Sequence, residues 1–259
     1  MKIFAIGLGP GDLDHLTPKA REAISQSSVI AGYTGYIELI KDLLNGKEVI
    51  KTGMKSEAER CNAAIDEALR GKNVCVVSSG DSGIYGMAGL LYELAEKHQE
   101  IEIEVIPGIT AASSAAAILG APLTNDFAVI SLSDLLTPWE VIEKRLEACA
   151  AADMVLCLYN PQSKSRSTYL EKACAIVLQH KYPETKCGCV RNAFRGDSSE
   201  SFICTLAELS NTQVDMFTTV IIGNSFTRVI GGKLVTARGY NSKCTIDNSQ
   251  FTIVDESCV

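Results

Sequence analysis

The chain has 259 residues, with 24 Lys and Arg against 31 Asp and Glu, and a formal net charge of −7. That balance disfavours a nucleic-acid binder working through a basic surface, and 46% hydrophobic with 21% charged residues excludes global disorder. No run approaches the roughly 20 unbroken apolar residues of a membrane span, and MKIFAIGLGPGD lacks the longer apolar region and cleavage site of a signal peptide. The expectation is a cytoplasmic chain, with no membrane or nucleic-acid partner, holding one large domain or two modest ones.

The opening IFAIGLGPG is a short apolar run that ends in glycines, as a buried parallel strand does. Thr17-Pro18 then supplies an N-cap and a proline at the first helical position. Ser56 with Glu59 predicts a capping box, and Gly71 sits where a C-cap belongs. A strand is expected at 74–77, then the loop SSGDSG, a helix to about residue 97, and a strand over 101–106 closed by Pro107-Gly108. The Ala- and Ser-rich stretch 110–119 reads as a tightly packed helix.

Pro122 and Asn125 mark a linker, after which a second series begins with FAVISL. A helix capped by Thr137 with Glu140, a strand at 154–159, a helix at about 165–180 and strands at 187–191 and 218–222 follow. Alternating apolar runs and helices mean an α/β fold. The reading is two α/β domains with mainly parallel or mixed sheets, over 1–122 and 123–240, a ligand cleft between them, and a polar tail at 241–259. The ten cysteines are scattered, several of them inside apolar runs, and fit a reducing compartment. Cys187-Gly-Cys189 offers two thiolates where tetrahedral zinc takes four ligands, so no metal site is expected.

In open α/β sheets, ligands bind beyond the carboxyl ends of the strands. The first such loop, GLGPGD at 7–12, departs from the dinucleotide fingerprint because its third glycine comes one residue early and Pro10 removes an amide. It is a plain tight turn or a place where a ligand approaches the backbone closely. The second, SSGDSGIYG at 78–86, contains the GDSG string of trypsin-like nucleophiles, with Ser82 as the candidate. That chemistry needs a His base, and His15, His98 and His180 all lie in or beside polar helical stretches. Asp81 is instead a carboxylate for ligand hydroxyls or an ammonium, or a cap for the next helix. PGITAA at 107–112, YNPQSKSR at 159–166 and RNAFR at 191–195 complete the set. The last two bring Lys164, Arg166, Arg191 and Arg195 to strand-end loops of an acidic chain, which favours an anionic substrate.

In this order the five elements resemble the tetrapyrrole methylase family, which uses S-adenosylmethionine (SAM) without a Rossmann pocket. IGLGPGD, the glycine-aspartate loop, PGITAA, YNP and TTVIIGNS carry the resemblance from Lys2 to Tyr240. GDSGIYGM in place of the family's usual GDP, with GYTGY at 32–36, LTPWE at 136–140, YNPQSKSR and TARGY at 236–240, is similar to one branch of it. That branch methylates C17 of precorrin-3B or cobalt-factor III, with ring contraction, in cobalamin synthesis.

The resemblance implies SAM contacts at Pro10, Ser79, Gly80, Asp81, Thr110, Ala111, Asn160, Asn192, Ala193 and Thr218. It implies tetrapyrrole carboxylates held by Lys164, Arg166, Arg191 and Arg195, and a homodimer. The catalytic residues remain unknown, since an activated methyl group requires no protein nucleophile. The alternatives are another family member acting on a different precorrin, uroporphyrinogen, RNA or diphthine, or a non-catalytic nucleotide-binding module.

Overall fold

The computed structural model describes residues 1–239; Tyr240, the tail at 241–259, Cys244 and Cys258 lie outside the described residues. In chain order the elements are β1 (Lys2–Gly7), α1 (Pro18–Gln26), β2 (Val29–Tyr33), α2 (Thr34–Leu39), β3 (Glu48–Thr52), α3 (Glu57–Leu69), β4 (Val74–Ser78), α4 (Ala88–Ala95), β5 (Glu102–Ile106) and α5 (Ala111–Leu119). Next come β6 (Gly120–Ala121), β7 (Phe127–Ser131), α6 (Trp139–Ala151), β8 (Val155–Tyr159), α7 (Tyr169–Val177), β9 (Lys186–Arg191), β10 (Glu200–Thr205) and α8 (Leu206–Leu209). β11 (Thr218–Ile222), β12 (Thr227–Ile230) and β13 (Lys233–Thr236) complete the set. Among the described residues no helix is long and apolar enough to cross a membrane.

The chain divides into two compact units. One comprises Met1–Ser114 with Asn192–Glu200, the other Ala115–Arg191 with the residues from Ser201 on. The sequence places the boundary at 122 and residues 192–200 in the second half. In the structure that segment packs with the first unit, for reasons that lie in its side chains.

The first unit is built on a parallel sheet of order β3-β2-β4-β1-β5. Alternate residues of β1 face opposite ways, so Ile3 and Ala5 join one buried cluster while Phe4 and Ile6 join the other. Helices α3 and α4 cover the first face and α1 and α2 the second. Thr17 caps α1 as expected, accepting from Ala20 N at 3.1 Å ahead of Pro18. Ser56 is the N-cap of α3 but makes no side-chain bond, so the capping box read from Ser56 and Glu59 does not form. A capping box does form at α8, between Thr205 and Glu208.

The second unit carries a mixed sheet of order β10-β9-β11-β8-β7, in which β7 and β8 run parallel while β11 is antiparallel to both β8 and β9. Its main core gathers Leu156, Leu158, Cys187, Cys189, Val220 and Ile222 under α6, α7 and α8. Gly188 stands between the two thiols because a Cβ there would lie 2.6 Å from Leu119 Cδ1, so the Cys-Gly-Cys spacing serves packing. α6 begins at Trp139 behind Pro138, which has no side-chain oxygen to cap with, rather than at Thr137. A small sheet of order β12-β13-β6 completes this unit.

Candidate active site

Because the first sheet is parallel throughout, β1, β4 and β5 all end on one edge, at Gly7, Ser78 and Ile106. Their loops meet backbone to backbone. Gly9 N donates to Gly80 O at 3.0 Å and Gly80 N returns a bond to Gly9 O at 2.7 Å. A Cβ on Gly7 would lie 2.6 Å from both Gly108 N and Gly80 O, so no other residue permits this approach.

Asp81 locks the arrangement. Its Oδ1 accepts from Gly83 N at 2.7 Å and Ile84 N at 3.1 Å, and its Oδ2 from Gly108 N at 2.9 Å. The carboxylate thus turns its own loop and clasps the loop after β5. Ser82 is fully buried, and its hydroxyl donates to Ala5 O at 3.0 Å. A hydroxyl spent on a strand carbonyl beneath the surface is a structural tie, and the nucleophile reading of GDSG has no support here.

The segment Asn192–Glu200 is fastened to this edge by two side chains. Arg195 donates from Nε to Pro10 O at 2.8 Å and from Nη2 to Ser79 Oγ at 2.9 Å. It lies across Gly11, whose added Cβ would come 2.9 Å from Arg195 Cγ. Phe194, at a left-handed φ of 55°, sets its ring 4.3 Å from that of His15, whose Nδ1 is 2.6 Å from Asp12 Oδ1. Burial pulls the Arg195 guanidinium below its usual range, and its two partners are a carbonyl and a hydroxyl. Of the expected contacts, Pro10, Ser79, Gly80, Asp81, Thr110, Ala111, Asn192, Ala193 and Arg195 all belong to this unit.

Asn160, Lys164, Arg166, Arg191 and Thr218 belong to the second unit. Asn160 sits at a φ of 52° just after β8 and donates from Nδ2 to Ser131 Oγ at 3.0 Å. Thr218, buried at the start of β11, pairs in register with Arg191 at the end of β9. Asp215 joins them, accepting from Thr218 Oγ1 at 3.0 Å and Arg191 Nε at 2.7 Å. Burial pushes the Asp215 carboxyl up, but the Arg191 guanidinium with the Phe217 amide and the Thr218 hydroxyl holds it below the usual range. Arg166 is 3.6 Å from Asp134, with its side chain only 12% exposed, while Lys164 is exposed on the same loop.

Two of the four expected cations, Arg166 and Arg191, therefore share their charge with a carboxylate. Sequence reasoning passed over Arg60 on α3, which the fold turns inward to the ends of β3 and β4. It donates to Thr52 Oγ1 at 2.8 Å and to Gly53 O at 3.1 Å.

A family model described as Tetrapyrrole (Corrin/Porphyrin) Methylases matches residues 2–210. A Salmonella typhimurium relative, named as a probable cobalt-factor III C(17)-methyltransferase, is 48% identical over 239 residues, covering 92% of this chain and 99% of the relative. The cobalt-factor III methyltransferase of Priestia megaterium is 46% identical over 254 residues, 96% of this chain but only 47% of that longer protein. Among solved structures, the methyltransferase CobJ superposes with a TM-score of 0.85 at 36% identity, covering 91% of this chain and 99% of the other. With the glycine-meshed loops of the first unit inside the matched region, the chain belongs to the tetrapyrrole methylase family.

Proposed function

We propose that this protein is a SAM-dependent methyltransferase that places a methyl group on C17 of cobalt-factor III, with contraction of the macrocycle, in cobalamin synthesis. The near full-length identity of 48% to the Salmonella relative carries this reading. The loop GDSGIYG, in place of the family's commoner GDP, lies within it.

The backbone-rich ligand edge of the first unit supports the SAM part of this reading. Gly80 sits at a φ of 69°, and a Cβ built on it would meet Ala111 N and Thr110 Cα at 3.6 Å, so the loops present backbone and small residues to one another. Pro10, Ser79, Gly80, Thr110, Ala111, Asn192 and Ala193, all in the first unit, would enclose the adenosine and methionine parts; Asn160 and Thr218 are the further candidates that the resemblance implies. When bound, SAM supplies a sulfonium methyl group that an electron-rich ring carbon can accept directly.

The protein's part is orientation and exclusion of water, which in favourable intramolecular cases accounts for about 7–11 kcal/mol of barrier. Asp81 holds two loops in fixed register through three amides. Arg195, whose partners are neutral, keeps most of its charge available for a substrate carboxylate; Lys164, Arg166 and Arg191 are the further candidates. Their forked or mobile cations match a ligand bearing many carboxylates. A cytoplasmic homodimer belongs to the same proposal.

The test is an anaerobic incubation with SAM in which cobalt-factor III and precorrin-3B are offered separately. Gain of one methyl mass on the cobalt substrate, with a changed absorption spectrum, is expected. Turnover of precorrin-3B alone would move the substrate assignment. Failure to bind SAM would overturn the reading.

A further inference from the structure

At the carboxyl edge of the first sheet, a cleft of about 140 Å³ opens beside the loop after β4, with Tyr33, Tyr36, Glu57, Arg60, Ser79 and Tyr85 in its wall. Its most unusual member is Arg60, which is 3% exposed. Three neutral acceptors take its donors: Thr52 Oγ1, Gly53 O and, at 3.6 Å, Met87 Sδ. Among the described residues the other cation buried to this degree is Lys181, and it has Asp153 at 2.8 Å. Burying a guanidinium against neutral partners alone is costly, yet this chain does so at the edge of its ligand site.

We propose that this cleft is a subsite for one carboxylate arm of the tetrapyrrole, with Arg60 at its floor as the receiving cation. The proposal rests on the reading of the chain as a tetrapyrrole methyltransferase. A guanidinium carries more N–H donors than Arg60 uses, and the thioether bond is weak enough to yield to a carboxylate oxygen. The space suits a single carboxymethyl or carboxyethyl arm and excludes a macrocycle, so the ring stays at the mouth. There Tyr85 stands 59% exposed at a left-handed φ of 53°, a conformation of the kind that clusters at ligand clamps. Tyr33 and Tyr36 pack edge to face at 5.1 Å, a rigid aromatic wall. Ser79, which accepts from Arg195, is shared with the SAM loops, so the arm is anchored beside the methyl donor's cradle. Glu57 is exposed at the rim, where water screens its charge.

The test is an anaerobic titration of cobalt-factor III, followed by its absorption spectrum, with SAM affinity measured in parallel by calorimetry. Arg60→Gln should weaken cobalt-factor III binding tenfold or more, Arg60→Lys less, and SAM affinity should stay within twofold in both. Met54→Trp provides a second route, because Met54 lines the cleft yet is 50% exposed. Filling the mouth there should cost the same affinity without disturbing the core. If the wild-type protein binds cobalt-factor III and Met54→Trp or a folded Arg60→Gln leaves that affinity unchanged, the subsite is wrong and the methyltransferase reading stands. If the wild-type protein binds neither cobalt-factor III nor precorrin-3B, both fall.

Discussion

Arg195 Nη2 lies 2.9 Å from Ser79 Oγ, a bond that spans 116 positions of the chain. With the second bond to Pro10 O, it holds the Asn192–Glu200 segment against the first two strand-end loops. A lysine can reach only one of these acceptors, since it lacks the planar fork. Arg195→Lys should therefore lower the melting temperature and weaken SAM binding about tenfold, or about 1.4 kcal/mol. Differential scanning fluorimetry and calorimetry read the two effects. Unchanged SAM affinity in a folded variant would mean that the Arg195 bonds to Pro10 and Ser79 do not shape the SAM loops.

Asp81 is the second point of control. Its carboxylate serves three amides, one of them Gly108 N on another loop. Asp81→Ala leaves those donors without their acceptor, at about 1–3 kcal/mol for each that stays buried and unpaired. Both stability and SAM affinity should fall. Asp81→Asn keeps one acceptor oxygen and should recover part of the stability. If Asn restores stability fully but SAM affinity not at all, the carboxylate contacts the ligand directly and does more than position the loops.

Of the strands that build the ligand edge, β1 and β4 were legible because they are apolar runs that stop at glycine or serine, and β5 because it alternates Ile and Val with Glu before Pro107-Gly108. The edge strand β3 was not, since EVIKT is half exposed and has no continuous apolar run. Nor could local pattern reveal that the residues after β9 pack with the first unit, because the cause is Arg195 and Phe194 meeting Pro10, Ser79 and His15. Asp81 was expected to serve a ligand, yet its nearest claimants are amides, one of them 27 residues away. Arg60 did leave a trace. It falls on the buried stripe of α3 with Ala64 and Ala68, at i, i+4 and i+8, where a solvated charge would break the pattern.

The thiols offer a test of the packing. Burial pushes Cys75, Cys157 and Cys174 up to about 12, and Cys61 up to about 11. Thiolate is the reactive form, so these four should resist iodoacetamide at neutral pH in the folded protein. Cys149 and Cys204, both partly exposed, should label first. Cys204 is further favoured because the Cys189 thiol bonds to it and holds it below the usual thiol range. Peptide mass mapping after brief labelling reads the order. Early labelling of Cys157, at the centre of β8, would contradict the sheet.

The last test uses acid. Asp134 accepts from Tyr169 Oη at 2.7 Å, and that bond, with Arg166 nearby, holds its carboxyl below the usual range. A carboxyl depressed by folding adds stability above its unfolded value of about 3.9, and loses it as pH falls through the lower folded value. The same bond holds the Tyr169 phenol above its usual range, so its contribution is present below about 10 and is lost as pH rises through the folded value. Asp134→Asn should lower the melting temperature at pH 7, and the gap to wild type should close as the pH drops below about 4. Tyr169→Phe should narrow the gap at both ends of the pH range, since the pair contributes only between its two titrations. Parallel melting curves at every pH would mean that the bond contributes nothing, leaving Arg166 to be positioned by packing alone.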